Sequence, residues 1–460
     1  MSARARASAA IARAAGSASR ALGRGGGTSL PGHVLLRIHP GAVRDLASNL
    51  DGGTVLVSAT NGKTTTTRLL TAALRATGRR VVTNAAGANL MSGVATALAG
   101  DAPRAGSGAA GVFEVDEAAL PAVARGVSPD AVLLMNLFRD QLDRYGEMEM
   151  IADRWSDMLA GMSPVPRLIV CGDDPLLASL PPDGAEVTWF GINDPAVATP
   201  ALPHASDSTR CRACGRALGY RHVWLGHLGE WSCDGCGASR PSPDVAVVSA
   251  GLDGTRGANP VIRTPEGDVA LTLTLPGLHN VLNAAAALAA AIAMGVPAAR
   301  AADAISRVPA AFGRSERIAV SGREVVIMLA KNPAGVNENL RTLLLDDGPH
   351  HLLVALNDRT ADGRDVSWVW DVDWEPLLPR VRRLTVTGDR AHELALRFRY
   401  GGMDMDRVRV QPDHDAALTE ALGAVPAGGT LEVLPTYTAM HEIRAGLVAR
   451  GAAGEFWSGG

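Results

Sequence analysis

Lysine is nearly missing from this chain. Of its 44 Lys and Arg residues, only Lys63 and Lys331 are lysine. A chain that uses arginine everywhere else keeps lysine where a compact, rotatable ammonium is needed. Both positions are therefore suspects before their surroundings are read. Long apolar runs are missing too. None reaches the roughly 18 residues of a membrane span, and the longest, at 284–296, is alanine-rich and reads as a packed helix. The net charge of -3 gives no reason to expect a nucleic-acid partner. Cysteine is scarce, at five residues, and four of these form two CxxC pairs. That pattern suggests a metal site in a reducing compartment rather than a disulfide framework. The fifth, Cys171, ends an apolar run with no glycine-flanked elbow around it and reads as a small buried hydrophobe.

The remaining composition, 47% hydrophobic and 20% charged over 460 residues, is that of a soluble globular protein of two or three domains. Residues 1–24 carry arginine, alanine and serine but no acid. This mimics an organellar transit peptide. It reads here as a basic amphipathic helix ahead of the first domain, of a kind that can graze an anionic membrane surface.

What is present is organised around residues 54–67. Val55, Leu56 and Val57 read as a buried parallel strand, a turn follows, and residues 64–74 read as a helix. Gly62 lets the backbone approach a phosphate. The first helical amides point at it, and the helix dipole favours its charge. Lys63 adds a point charge for the β/γ-phosphates, and the Thr64 hydroxyl is a ligand for Mg²⁺. The full GxxxxGK[ST] pattern is not met, because Val57 stands at its first glycine.

Strand-like runs at 80–83, 111–115, 130–136 and 167–171 alternate with helices, which predicts a doubly wound parallel sheet. Glu114, Asp116 and Glu117 close the second of these runs, where carboxylates beside a phosphate loop are placed to hold Mg²⁺. Cys211-x-x-Cys214 and Cys233-x-x-Cys236 follow, eighteen residues apart. This spacing makes a Cys₄ zinc ribbon. Four thiolates close a tetrahedral site, so its zinc is structural and stakes down a small insertion. Residues 245–250 and 270–275 return to strands, Pro276 to Asn283 opens the alanine-rich helix, and 312–318 reads as a boundary loop. A new strand at 323–329 then runs into Lys331-Asn332, and strands at 351–356, 384–387 and 430–434 build a second, smaller α/β domain. Its long loop at 358–373 carries Asp358, Asp362, Asp365 and Asp371 with Trp368 and Trp370, at the strand end where such sheets place function. The expected division is a lead-in at 1–45, an ATP-binding domain at 46–312 with its ribbon near 205–240, and a C-terminal domain at 318–460.

Together these motifs resemble the Mur ligase superfamily over nearly the whole chain, and within it the branch that amidates lipid II. Thr60-Asn61-Gly62-Lys63-Thr64-Thr65 resembles the phosphate loop, with Ala59 at a usual glycine. Glu114 matches the strand-end Mg²⁺ ligand, and residues 136–145 resemble the Asn-x-x-x-Asp-His-x-Asp-Arg segment. Asn280, in His279-Asn280-Val281-Leu282-Asn283, matches the adenine contact. Arg314 matches the linker arginine, and Lys331 the lysine that reaches the phosphoryl group from the second domain. Two positions depart: Gln141 replaces a histidine, and no lysine between Lys63 and Lys331 can be carbamylated. Both departures, with the ribbon and the stretch 361–368, favour the amidating branch.

The resemblance implies a Mur-type central ATPase domain with a parallel sheet, plus a Rossmann-like C-terminal domain. It implies ATP-dependent amidation of the D-glutamate α-carboxyl of the lipid II stem peptide through an acyl phosphate, using ATP, Mg²⁺ and structural Zn²⁺. Ammonia would come from a separate GatD-like class I glutamine amidotransferase subunit, to whose Cys-His pair Asp362 or Asp365 would lend a carboxylate. The work would be done in the cytoplasm at the inner membrane face. The alternatives are an amino-acid-adding Mur or folylpolyglutamate-type ligase, and a nucleotide-binding scaffold without catalysis.

Overall fold

The apolar run at 55–57 becomes the middle of a sheet. In the computed structural model, which describes residues 2–21, 29–84, 87–104, 106–140, 148–204, 206–309 and 314–452, every residue of β1 (Thr54–Ser58) is buried. A strand buried on both faces must be internal and covered by helices. It pairs in parallel with β3 (Ala110–Glu114) on one side and β4 (Ala131–Leu134) on the other. β2 (Val81–Thr83) lies outside β3, while β5 (Arg167–Cys171) and β6 (Val187–Ile192) continue beyond β4. The insertion that follows carries the hairpin β7 (Gly219–Leu225) and β8 (Leu228–Ser232). The chain returns as β9 (Val245–Ser249), a short pair β10 (Leu252–Asp253) and β11 (Gly257–Ala258), and an antiparallel edge of β12 (Val261–Thr264) and β13 (Gly267–Ala270). Among the described residues the main sheet runs β13-β12-β9-β6-β5-β4-β1-β3-β2. The connection from β1 leads to β2 on the far side of β3, whereas that from β3 crosses back past β1 to β4, and this reversal opens a crevice at the strands' carboxyl ends.

The alanine-rich helix Leu278–Ala293 is buried along nearly its whole length. Its small side chains let it nest between the sheet and the helix Lys63–Arg75. The second lobe has its own cores on the two faces of a sheet ordered β14-β15-β19-β16-β17-β18. These strands are β14 (Arg314–Val320), β15 (Arg323–Met328), β16 (His350–Ala355), β17 (Val381–Thr387), β18 (Val408–Val410) and β19 (Thr430–Pro435). All neighbours are parallel except β14, which is antiparallel to β15.

Two expectations are corrected. Residues 314–318 are not a loop but the start of β14. Its charged Glu316 and Arg317 hid an alternation in which Ile318 and Val320 are buried. The hairpin turns at Ser321 (φ 48°) and Gly322 (φ 74°), the left-handed pair a two-residue connection needs. Residues 271–275 are not a strand. Leu271, Leu273 and Leu275 are buried as a period of two requires, but Leu273 makes only a single bridge, to Ala258 at the end of the two-residue β11.

The N-terminal residues form the helix Ala3–Ala21, whose stripe Ala5, Ser8, Ala9, Ala12 is buried. It packs on the helix Leu30–Ile38, which in turn crosses the helix Met91–Asp101. No helix among the described residues is long and apolar enough to cross a membrane. The second crossing is held at Gly32, where a Cβ would stand 1.8 Å from the Ser92 carbonyl oxygen. Its N–H donates to Thr96 Oγ1 at 2.8 Å. Gly32→Ala is therefore expected to cost about 1–3 kcal/mol of stability through overpacking, read by denaturant unfolding. An unchanged unfolding midpoint would show that the crossing can slide.

Candidate active site

Gly62 opens the helix Lys63–Arg75 with φ 92°. A Cβ there would lie 2.1 Å from Asn283 Oδ1, so backbone and neighbouring helix meet without a side chain between them. No side chain caps the helix start; its orphan amides and dipole are left for an anion. The loop before it is bracketed by the segment after β4. Asn136 Oδ1 accepts the Asn61 N–H at 2.9 Å, and Asn136 Nδ2 donates to the Asn61 carbonyl at 3.0 Å. Thr60 Oγ1 accepts the Phe138 N–H at 3.0 Å. Thr60, Lys63 and Thr65 are buried, and Thr64 is half-buried.

Lys63 donates to the Ala59 carbonyl and, at 2.7 Å, to Glu117 Oε2. Burial alone would raise the Glu117 carboxyl, but the charges of Lys63 and Lys331 outweigh it and hold it below the ordinary carboxylate value. The Glu117 backbone is pinned by Trp155 Nε1, which donates to its carbonyl at 2.9 Å from the helix Met148–Ala160. Lys331 arrives from the other lobe at the end of β15 and pairs with Asp140 Oδ2 at 2.6 Å. The two lysines thus converge on one acidic centre. The sequence reading took Glu114 as the ligand and gave Glu117 no separate role. Both are buried, and Asn84 exchanges hydrogen bonds with the Glu114 backbone at 2.9 and 3.0 Å. Asp140 Oδ1 is buried and has no hydrogen-bond partner among the described residues. Hard carboxylate oxygens beside a phosphate loop suit Mg²⁺, and Glu114, Glu117, Asp140 and the Thr64 hydroxyl are the residues that would hold it.

Asn280, near the start of the alanine-rich helix, donates to the Pro276 carbonyl at 2.7 Å and accepts from Asn283 Nδ2 at 3.1 Å. Asn283, three residues further along the helix, therefore links Asn280 to Gly62. Arg314 begins β14, and its side chain lies outside the described residues, as do Gln141 and Tyr145.

The lobes meet over this crevice. Asn61 and Asn332 exchange amide hydrogen bonds at 3.2 Å in both directions. Asn332 also caps the helix Pro333–Leu344 by accepting the Gly335 N–H at 2.9 Å. Arg139 reaches Asp371 at 2.9 Å, and Arg341 donates to the Trp224 carbonyl at 2.6 Å.

Asp362 and Asp365 are not equivalent. Asp362 is buried, and its two oxygens accept the N–H and hydroxyl of Thr438 at the start of the helix Tyr437–Ala449. Asp365 is exposed, and Ser367, through its hydroxyl and N–H, holds its carboxyl below the usual value.

The four CxxC sulfurs converge. Cys211 and Cys236 Sγ are 3.6 Å apart, Cys214 and Cys233 Sγ 3.4 Å, and all four lie within 4.8 Å of one another. Gly215 (φ 73°) and Gly237 (φ 77°) turn two matching knuckles, each closed by its glycine N–H on the first cysteine's carbonyl at 2.8 and 2.9 Å. The Cys236 and Gly235 amides pull the Cys233 thiol down to about 6. A tetrahedral thiolate zinc site fits this donor set.

Fold and crevice together define a Mur-type ligase. Residues 57–219 match the Mur ligase middle domain and residues 329–440 the MurT ligase C-terminal domain. The chain is 30% identical, over 93% of each chain, to the lipid II isoglutaminyl synthase (glutamine-hydrolyzing) subunit MurT of Streptococcus pneumoniae. It is 29% identical, over 94% of each, to that of Staphylococcus aureus N315. A pseudomurein peptide ligase type C from Methanothermus fervidus superposes with a TM-score of 0.68 at 19% identity, over 88% of this chain and 80% of that one. The chain belongs to the MurT family.

Two outcomes are expected. Gly62→Ala, strained by its φ of 92° and blocked by Asn283, should weaken ATP binding by more than roughly tenfold, measured by calorimetric titration. Cys233→Ser should lose the zinc, read as metal content, because three thiolates no longer close the site.

Proposed function

We propose that the chain is the synthetase subunit of a lipid II-amidating ligase, working with Mg²⁺ and ATP. The observation that carries this reading is the meeting of Lys63 and Lys331, from two lobes, on Glu117 and Asp140. In the proposed reaction an oxygen of the D-glutamate α-carboxylate attacks the γ-phosphorus of ATP, and ADP leaves. Ammonia then attacks the acyl phosphate carbon, phosphate leaves, and the nitrogen sheds its surplus proton. Lys63 would turn from Glu117 to the phosphates, and Lys331 would follow the moving group. Positioning and charge neutralisation supply the catalysis. Asn280 would contact adenine, and Arg314 would act as the linker arginine between lobes.

The ammonia would come from a GatD-like class I glutamine amidotransferase partner. Asp365 is the better donor to that partner's Cys-His pair: it is exposed and ionised, whereas Asp362 is spent on Thr438. A carboxylate there would orient the imidazole as a triad acid does. The substrate would be met at the inner membrane face.

The test is amidation of lipid II by the complex, read by mass spectrometry. Lys63→Ala should abolish it with either nitrogen source. Asp365→Asn should abolish the glutamine-dependent reaction and leave the ammonia-dependent one, while Asp362→Asn should mainly lower the melting temperature. Full glutamine-dependent activity in Asp365→Asn would overturn its assignment. Addition of an amino acid without a partner would favour the amino-acid-adding alternative. ATP bound but never turned over would favour the scaffold.

A further inference from the structure

The insertion that carries the four cysteines reaches the segment that brackets the loop at residues 60–65. β7 and β8 are joined by Gly226 and His227 alone. This two-residue tip is driven into the first lobe: a Cβ on Gly226 would stand 2.8 Å from Phe138 Cε1. His227 is fully buried. Its ring meets the Phe138 ring edge-on, with centroids 4.9 Å apart, and its Nε2 lies 3.5 Å from Asp174 Oδ2. The same Asp174 oxygen accepts the Leu137 N–H at 3.0 Å. Behind the tip, the Gly229 N–H donates to the Asp173 carbonyl at 2.9 Å and Trp231 Nε1 to the Gly172 carbonyl at 3.1 Å. The hairpin is thus sewn to the end of β5, and its tip grips residues 137 and 138 from below. Those residues adjoin Asn136, which brackets Asn61, and Asp140, which pairs with Lys331.

Packing alone does not explain a histidine here. Among the described residues neither ring nitrogen of His227 has a hydrogen-bond partner, and a buried polar group without one is a cost that an apolar side chain of similar size avoids. The nearest acceptor, Asp174, is the residue that fixes the Leu137 amide. We infer that His227 is a positioning residue for the phosphate loop. Through Phe138 and Asp174, the ribbon tip sets the placement of residues 136–140, and these set the placement of Thr60 and Asn61. The inference rests on reading residues 60–65 as the ATP-phosphate loop. It gives the ribbon a task beyond its own folding.

The experiment uses the full chain with its zinc. His227→Leu should retain native zinc content, bind ATP more weakly on the order of tenfold, and exchange amide hydrogens faster at residues 136–140. His227→Gln, which keeps a polar group facing Asp174, should recover most of the affinity. If the leucine variant does not fold, Phe138→Leu, which removes the ring from the other side, is read in the same way. Native affinity together with unchanged exchange at 136–140 would overturn the proposal. A native chain that binds no ATP would instead overturn the phosphate-loop reading, and the exchange comparison would still decide the role of His227.

Discussion

A buried ammonium must have a carboxylate, and the rest of this site follows from that pairing. Lys63 is buried at the foot of its loop and rests on Glu117 at 2.7 Å. Removing one partner of such a pair costs about 3–5 kcal/mol, because the other charge is left stranded. Glu117 is therefore committed while Lys63 faces it; in the proposed reaction a triphosphate would draw Lys63 away and release it. Lys331 already acts on Glu117 from the opposite lobe while bonded to Asp140. Charges of alternating sign thus run across the crevice. In the proposed reaction, a phosphoryl group entering between the lysines would exchange partners with these carboxylates rather than meet an uncompensated positive site.

That exchange depends on where the sheet puts each residue. Lys63 follows β1, Glu117 follows β3, Asp140 follows β4 and Lys331 follows β15, so each stands beyond the carboxyl end of a strand. The chain runs from β1 outward to β2 and then from β3 back to β4, and that reversal beside β1 leaves room for a ligand. The reciprocal amide bonds of Asn61 and Asn332 then tie the phosphate loop to the second lobe. The insertion with the four cysteines is too small for a core of its own, and its buried residues Trp224, Leu225 and Leu228 join the core of the first lobe. Its four cysteine sulfurs converge at the outer end, while its inner end enters the main structure.

The sequence by itself determined the elements whose chemistry is local. The run Val55–Val57 with Gly62-Lys63-Thr64 announces a strand, a turn and a helix start. Two CxxC pairs announce four converging thiolates, and a single lysine just beyond a strand in the second half announces Lys331. Tertiary structure decided what depends on contacts distant along the chain. β14 was hidden because this edge strand carries charged Glu316, half-buried against Arg444, and exposed Arg317, and 271–275 looked like a strand because burial alternates even where no long partner exists. Glu117 is the carboxylate that meets Lys63, with its backbone fixed by Trp155 from a helix 38 residues away. Asp362 and Asp365 look alike in sequence, and only Thr438, at a separation of 76, consumes one of them. Residue spacing specifies periodicity and local turns, whereas the partner of a charge is set by how separate strands are brought side by side.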